Sequence, residues 1–175
     1  NATAIKKLIE RNKQQTLDAR KRHSDIRVSA KKEFTKLSSK TLFVSGICLY
    51  WGEGYKQGVI EGRQKNIDFT NSDPEMVKLM ILFFKKFLET KESDMRVQLM
   101  LHDSRGINES INFWHNLTKI PKQNFIKPFC SISRSSQKKR DKRLKFGTIH
   151  VRIYDVNKFF HLIGWIDGLK AKFNI

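Results

Sequence analysis

The amino-acid sequence predicts an α+β fold, with a mainly antiparallel sheet and helices packed on one face of it. Two observations lead to this prediction. Segments with apolar residues at helical spacing are interspersed along the chain with short segments in which apolar and polar residues alternate. After the first forty residues, the resulting order is helix, two strands, helix, strand, helix, two strands and helix. The 175 residues, 39% of them hydrophobic, are enough to form a core without disulfides or a structural metal.

Residues 1–40 form a basic segment of different character. The segment carries twelve lysine and arginine residues against four acidic ones, with few apolar residues and no proline or glycine. We expect a largely helical arm or linker, exposed on most faces, ahead of a domain over residues 41–175. An arm that becomes ordered on a partner and a merely solvated helix are equal alternatives. Such an arm also suits a position downstream of a further N-terminal domain.

A dense apolar run over residues 42–51 opens the domain and ends in the sequence GEG at 52–54. This pattern predicts a short buried helix that is terminated by glycine. Residues 56–61 and 65–70 are predicted to be two strands joined by a turn at 62–64.

A helix is predicted to start at Asp73 and Pro74. Asp73 offers a capping carboxylate, and Pro74 has no amide N–H that would need a hydrogen-bond acceptor in the first turn. The helix is expected to run to about Leu88. Residues 95–101 then alternate as a strand does, and residues 108–117 return to helical spacing.

The last part of the chain is predicted to contain two strands and a helix. Residues 125–133 and 146–154 have strand character, and the basic stretch 134–145 is expected to be their hairpin connection. Asp155 is expected to cap a final helix that ends at about Leu169.

The formal net charge of +18 bears most directly on function. So large a charge opposes compaction unless a polyanion neutralises part of it, and nucleic acid is therefore the expected partner. A membrane partner is not expected, because no stretch approaches the roughly 20 apolar residues that span a bilayer. Cys48 and Cys130 have no cysteine or histidine at zinc-ligand spacing nearby, which fits a reducing intracellular compartment, namely the cytoplasm, the nucleoid or an organelle.

The motif over residues 46–56, GICLYWGEGYK, resembles the LAGLIDADG homing-endonuclease family, in particular a single-motif branch that reads LYWGEGxK. The resemblance covers residues 42–170 and also rests on the TNSDPEM helix start, the FWHNL helix and the order of elements. It implies a saddle-shaped sheet and sequence-specific binding and cleavage of double-stranded DNA. The implied cofactor is Mg²⁺ or Mn²⁺, and no small-molecule substrate is expected.

In this family the motif helix packs against a copy of itself, and an acid at its end supplies one carboxylate to a central metal site. The resemblance gives the catalytic and metal-binding role to Glu53, with the backbone carbonyl of Gly52 as a neighbour of the metal. Cys48, Trp51 and Gly52 are the implied dimer-interface residues. Because the chain has one convincing motif, it is expected to act as a homodimer.

Two features depart from the family pattern. Glu53 stands where aspartate is commoner, which moves the carboxylate by one methylene. Residues 162–168, LIGWIDG, imitate the motif, but no strands can follow them before Ile175. They are expected to belong to the closing helix of the domain.

The family's sheets lie in the major groove of DNA, where alternate side chains face bases and phosphates. The implied DNA-binding residues fall in the predicted first hairpin and in the basic connection between the last two strands. They are Lys56, Gln57, Arg63, Gln64, Lys65, Arg134, Lys138, Lys139, Arg140, Lys142, Arg143 and Lys145. Lys127, Lys145 and Arg152 are candidates for the basic residue that positions the attacking water.

Two other functions stay open on the sequence. A non-catalytic LAGLIDADG-like transcription regulator needs the DNA-binding surface but no metal. An RNA-binding maturase-like protein would use the same charge on an RNA backbone, although no RNA-recognition signature is present. Asp68 is expected to contact a base or to lie at the surface, and the surface is favoured. The histidines are scattered, so each is expected to be an ordinary surface or core residue.

Overall fold

The computed structural model describes residues 2–34, 38–101, 106–130 and 145–175. These residues form five α-helices and a four-stranded mixed sheet, so the predicted α+β class is confirmed. They divide into two units, Asn1–Ser39 and Lys40–Ile175. No helix in these ranges has the length and apolar character needed to cross a membrane.

The main described element of the first unit is a long helix, α1 (Ala2–Glu33). Ten lysine and arginine residues and four acidic residues lie along it. Its described side chains are exposed, except for the half-buried Ala19. Large apolar side chains such as Ile5 and Ile26 are more than half exposed, because the helix lacks a continuous apolar stripe to bury.

The second unit holds the sheet and the other four helices. In chain order its main elements are α2 (Ser39–Glu53), β1 (Ile67–Asn71), α3 (Pro74–Phe87), β2 (Met95–Leu101), α4 (Ile107–Thr118), β3 (Phe129–Cys130), β4 (Thr148–Ile153) and α5 (Val156–Phe173). The predicted strand over residues 95–101 and the predicted helix starts are confirmed. Asp73 accepts hydrogen bonds from the amides of Glu75 and Met76, and Asp155 accepts one from the amide of Lys158.

The strand order in the sheet is β1-β4-β2-β3. Strand β4 is antiparallel to both β1 and β2, whereas β3 is parallel to β2. The expected hairpin of the last two strands is therefore wrong, because β2 lies between β3 and β4. The cause is α4, which connects β2 to β3 and returns the chain in the same direction, as helical crossovers do.

The predicted strand at residues 56–61 is also wrong. Its centre is a 3₁₀ turn, Gln57–Val59, in which the amide of Ile60 donates to the carbonyl of Gln57 at 3.0 Å. The outer edge of β1 is instead met by the residues that directly follow α2. Gly54 forms a β-bridge with Phe69, and the amide of Tyr55 donates to the carbonyl of Asp68 at 2.8 Å. This edge therefore carries no hairpin strand.

One face of the sheet and the helices enclose a continuous core. The sheet contributes the buried side chains of Ile67, Phe69, Met95, Val97, Leu99, Leu101, Ile149, Val151 and Ile153. Helix α2 approaches α3 closely at Gly46, where a Cβ atom would overlap the ring of Phe83. Because every second strand residue points into this core, the alternate residues face away from it, on the opposite side of the sheet.

Candidate nucleic-acid interface

The side of the sheet that faces away from the core, here called the open face, is built from alternate residues of three strands. Its members are Asp68, Thr70, Arg96, Gln98, Met100, Thr148, His150 and Arg152. Strand register sets Asp68 beside Arg152 and Thr70 beside His150. Their side chains are half-buried or exposed, and most of them can donate or accept hydrogen bonds.

Asp68 is the acceptor that links the strands of the open face. Its Oδ2 accepts a hydrogen bond from Nε of Arg152 at 2.7 Å, and its Oδ1 lies 3.1 Å from Nδ1 of His150. The same His150 nitrogen lies 2.8 Å from Oγ1 of Thr70. Burial alone would raise the pKa of Asp68, but the hydrogen bonds from His150 and Arg152 outweigh burial and lower it. Asp68 is thus a paired anion in the folded protein.

The network continues onto β2. Nη1 of Arg152 donates to Oε1 of Gln98 at 3.0 Å, and Nε2 of Gln98 donates to the carbonyl of Lys127 at 3.2 Å. Burial by itself would lower the pKa of Arg152, but the hydrogen bond to Asp68 and the negative charge of Asp68, together with a smaller contribution from Tyr154, leave the pKa raised. The open face therefore presents a hydrogen-bonded row across β1, β4 and β2.

The end of α2 lies at the border of the open face. Glu53 is the last residue of this helix, and its side chain is exposed. The next two residues contact the outer edge of β1, at Phe69 and at the carbonyl of Asp68. The predicted metal-binding carboxylate therefore stands two residues before Tyr55, whose amide is bonded to the strand that carries Asp68.

Two lysines surround this helix end. Nζ of Lys56 donates to the carbonyl of Gly54, and Nζ of Lys170 lies 5.3 Å from the ring centre of Trp51. Burial lowers the pKa of Lys56, the negative charge of Glu53 opposes that shift, and the positive charge of Lys170 adds to it. Glu53 thus lies in a basic environment. The sequence analysis did not identify Lys170, which comes from α5.

One stripe of α2 is exposed. Thr41, Val44, Ser45, Cys48 and Gly52 lie along it at helical spacing. A Cβ atom on Gly52 would meet nothing within 4 Å, so packing within the chain does not require glycine there. Two of the predicted dimer-interface residues, Cys48 and Gly52, lie on this stripe. The third, Trp51, is half-buried beneath Lys170.

The predicted DNA-binding residues fall into three groups by their place in the chain. Gln57, Arg63, Gln64 and Lys65 are exposed, and Lys56 is half-buried, in the irregular segment between α2 and β1. Lys145 is exposed and pairs with Glu109 of α4 at 2.8 Å. The remaining ones lie outside the described residues, namely Arg134, Lys138, Lys139, Arg140, Lys142 and Arg143.

The three candidates for the water-positioning base differ in their partners. Arg152 is held by Asp68 and Lys145 pairs with Glu109, while the side chain of Lys127 is exposed. Across the described ranges, no group of three or more His, Cys, Asp and Glu residues is arranged to hold a metal ion. One copy of the chain offers Glu53 alone at the end of α2.

The residues that sequence reasoning missed are those that become neighbours only through strand pairing. His150 was expected to be an isolated histidine, yet it contacts Asp68 from the adjacent strand. The only signal in the sequence is the alternation of Thr148, His150 and Arg152 with three β-branched core residues. Alternation predicts the face of the strand but not its partner.

Comparison of the sequence with protein-family models and curated proteins, and of the structure with solved structures, finds no match.

Proposed function

We propose that this protein binds duplex DNA across the open face and, as a homodimer, cleaves it with Mg²⁺ held by Glu53 of both copies. The observation that carries the proposal is the meeting of α2 with the outer edge of β1. This contact brings the end of the LAGLIDADG-like motif helix to the edge of the strand that carries Asp68, which supports a nuclease that reads DNA with its sheet.

The chemistry of the open face supports contact with DNA. Direct readout of bases requires side chains that donate and accept hydrogen bonds, and Gln98, Thr148 and Arg152 provide both kinds of group. The major groove, about 12 Å wide, admits a two-stranded ribbon. The formal charge of +18 supplies the attraction for phosphates.

The end of α2 fits a hard cation. Glu53 offers exposed carboxylate oxygens, and the last carbonyls of a helix lack partners within the helix and carry partial negative charge. Oxygen ligands of this kind suit Mg²⁺, which would polarise a phosphate and lower the pKa of a bound water. In this arrangement Glu53 and the Gly52 carbonyl would hold the ion. Lys56 and Lys170 attract and orient the phosphate.

The exposed stripe of α2 supports self-association. Small side chains at Ser45, Cys48 and Gly52 allow another helix to approach closely, and a Cβ atom on Gly52 would meet no atom of the described residues within 4 Å. Two copies joined along this stripe would bring two Glu53 carboxylates together and join two open faces into one longer surface. Such a dimer would recognise a near-palindromic site.

A second candidate function is a DNA-binding regulator that does not cleave. The observation that favours it is the single carboxylate at the end of α2 in each copy, which makes catalysis depend entirely on the dimer. The regulator would use the same open face and the same stripe of α2. An assay for DNA cleavage distinguishes the regulator from the nuclease.

The decisive assay incubates the protein with a randomised duplex-DNA library and Mg²⁺ or Mn²⁺. The comparison is with Glu53→Gln, and with Glu75→Gln as a matched control on the exposed first turn of α3. We expect the wild type and Glu75→Gln to cut at a discrete long site. We expect Glu53→Gln to bind the same site and to cut it at least about a hundredfold more slowly. Binding by all three proteins with no cutting by any would establish the regulator.

A further inference from the structure

Arg152 is held in one orientation on the open face by two neighbouring strands. Its Nε donates to Asp68 on β1 at 2.7 Å, and its Nη1 donates to Gln98 on β2 at 3.0 Å. The side chains of Arg152 and Asp68 are only 19% and 17% exposed. A guanidinium is a planar fork of five N–H donors, so these two contacts fix its plane and leave other donors available.

Asp68 is itself held on its other side. His150 lies 3.1 Å from Oδ1 of Asp68, and Thr70 contacts the same histidine nitrogen at 2.8 Å. Arg152 is therefore paired with a carboxylate whose orientation is fixed by a second contact, to His150. A side chain ordered before binding loses less conformational entropy on binding, which favours selective contact over loose charge attraction.

Guanine is the base that such a group recognises. In the major groove it presents two acceptors, O6 and N7, at a spacing that matches the arginine fork. We propose that Arg152 reads a guanine in the major groove and that Asp68 is its positioning residue. This inference rests on the proposed binding of duplex DNA by the open face and names the base contact that gives it specificity.

Arg96 provides an internal comparison. It lies beside Arg152 in the register of β2 and β4, so it shares the same face. Its Nη1, however, donates to backbone carbonyls at the start of its own strand, those of Ser93 at 3.1 Å and Met95 at 3.4 Å. No carboxylate among the described residues is bonded to it, and its expected contact is with a phosphate, which carries no sequence information.

The test selects bound sequences from a randomised duplex library and then measures Kd for the selected duplex and for single base-pair changes in it. The proteins are the wild type, Arg152→Lys, Asp68→Asn and Arg96→Lys. We expect the wild type to prefer guanine at one position by about ten- to a hundredfold. Arg152→Lys should lose that preference and keep those at other positions, Asp68→Asn should weaken it, and Arg96→Lys should retain it.

The readout is a ratio of two affinities of the same protein, so a partly unfolded variant does not imitate a loss of specificity. Retention of the guanine preference in Arg152→Lys would overturn the inference, as would its equal loss in Arg96→Lys. Failure of the wild type to bind any duplex would overturn the proposed function as well. Sequence-specific binding that does not change in Arg152→Lys would overturn the inference about guanine but not the proposed function.

Discussion

At the scale of single residues, Asp68 is the side chain on which most of the open face depends. It pairs with Arg152 and His150, and both lie on the neighbouring strand β4. A partly buried carboxylate of this kind stabilises the protein only while it is charged and its partners are in place. Removal of the charge leaves the Arg152 guanidinium without its anion in a half-buried position.

We therefore expect Asp68→Asn to lower the free energy of unfolding by about 1–3 kcal/mol at pH 7. Because the folded-state pKa of Asp68 lies below its unfolded value, this stabilisation is complete above about pH 4. It disappears as the pH falls through the lowered pKa. Urea unfolding should thus show a large difference in the free energy of unfolding between wild type and variant at pH 7, and a smaller difference at pH 3.

The matched control is Asp167→Asn, which removes the exposed partner of Lys170 within α5. Exposed ion pairs contribute little, so this change should cost less than about 0.5 kcal/mol. An Asp68→Asn protein as stable as the wild type at pH 7 would mean that the pair with Arg152 does not stabilise the folded state.

The sequence alone could predict only part of this arrangement. That Asp68 points away from Ile67 and Phe69 follows from the alternation of β1. That it meets His150 and Arg152 does not follow, because these residues are more than eighty positions away along the chain. Local pattern identifies the faces of strands, whereas strand pairing depends on the whole core.

At the scale of elements, α2 has two different sides. One packs into the core, with Ile47 and Tyr50 buried and Gly46 directly under Phe83 of α3. The other is the exposed stripe that contains Gly52. The two glycines of this helix therefore have opposite roles in packing, although both stand in the same apolar run.

We expect Gly46→Ala to destabilise the fold by about 1–3 kcal/mol, because its methyl group would overlap a fully buried ring that has nowhere to move. Gly52→Ala should stabilise the monomer by about 0.5 kcal/mol, because alanine loses less backbone entropy in a helix. Thermal unfolding at low protein concentration measures both effects.

The Gly52→Ala protein also reports on the dimer. If the stripe of α2 forms the interface between copies, the added methyl group separates the helices, and light scattering should show weaker self-association despite the more stable monomer. Unchanged association would place the dimer contact elsewhere or exclude it. An equally stable Gly46→Ala protein would contradict the packing of α2 on α3.

The prediction of elements succeeded where the chemistry is local and failed where it is not. Asp73 and Asp155 cap their helices through bonds to amides two or three residues away, which a sequence displays directly. Residues 56–61, predicted to be a strand, pair with none of the described strands, because Gly54 and Tyr55 already contact the edge of β1. The direction of β3 likewise depends on the crossover through α4.

At the scale of the whole molecule, the second unit divides into a core side, where the helices pack, and the open face of the sheet. Helices α2 to α5 contribute buried side chains to the core side, and the open face carries hydrogen-bonding side chains. Charge alone would let any basic surface attract DNA. We propose, more narrowly, that the open face itself contacts the duplex, with the end of α2 at its border.

The measurement that tests this claim most directly compares two variants that each add one negative charge with almost no change of shape. Gln98→Glu lies on the open face, and Asn116→Asp is exposed on α4, on the core side of the sheet. Affinity for duplex DNA is measured by titration between about 50 and 200 mM salt, where several phosphate contacts give a steep dependence.

We expect Gln98→Glu to weaken binding by about tenfold or more, because a carboxylate would then face the phosphates and base acceptors of the DNA. We expect a change of less than about twofold for Asn116→Asp, whose charge stays away from the duplex and is screened. Equal effects of the two variants, or an affinity that does not depend on salt, would contradict the claim that the open face is the DNA-binding surface.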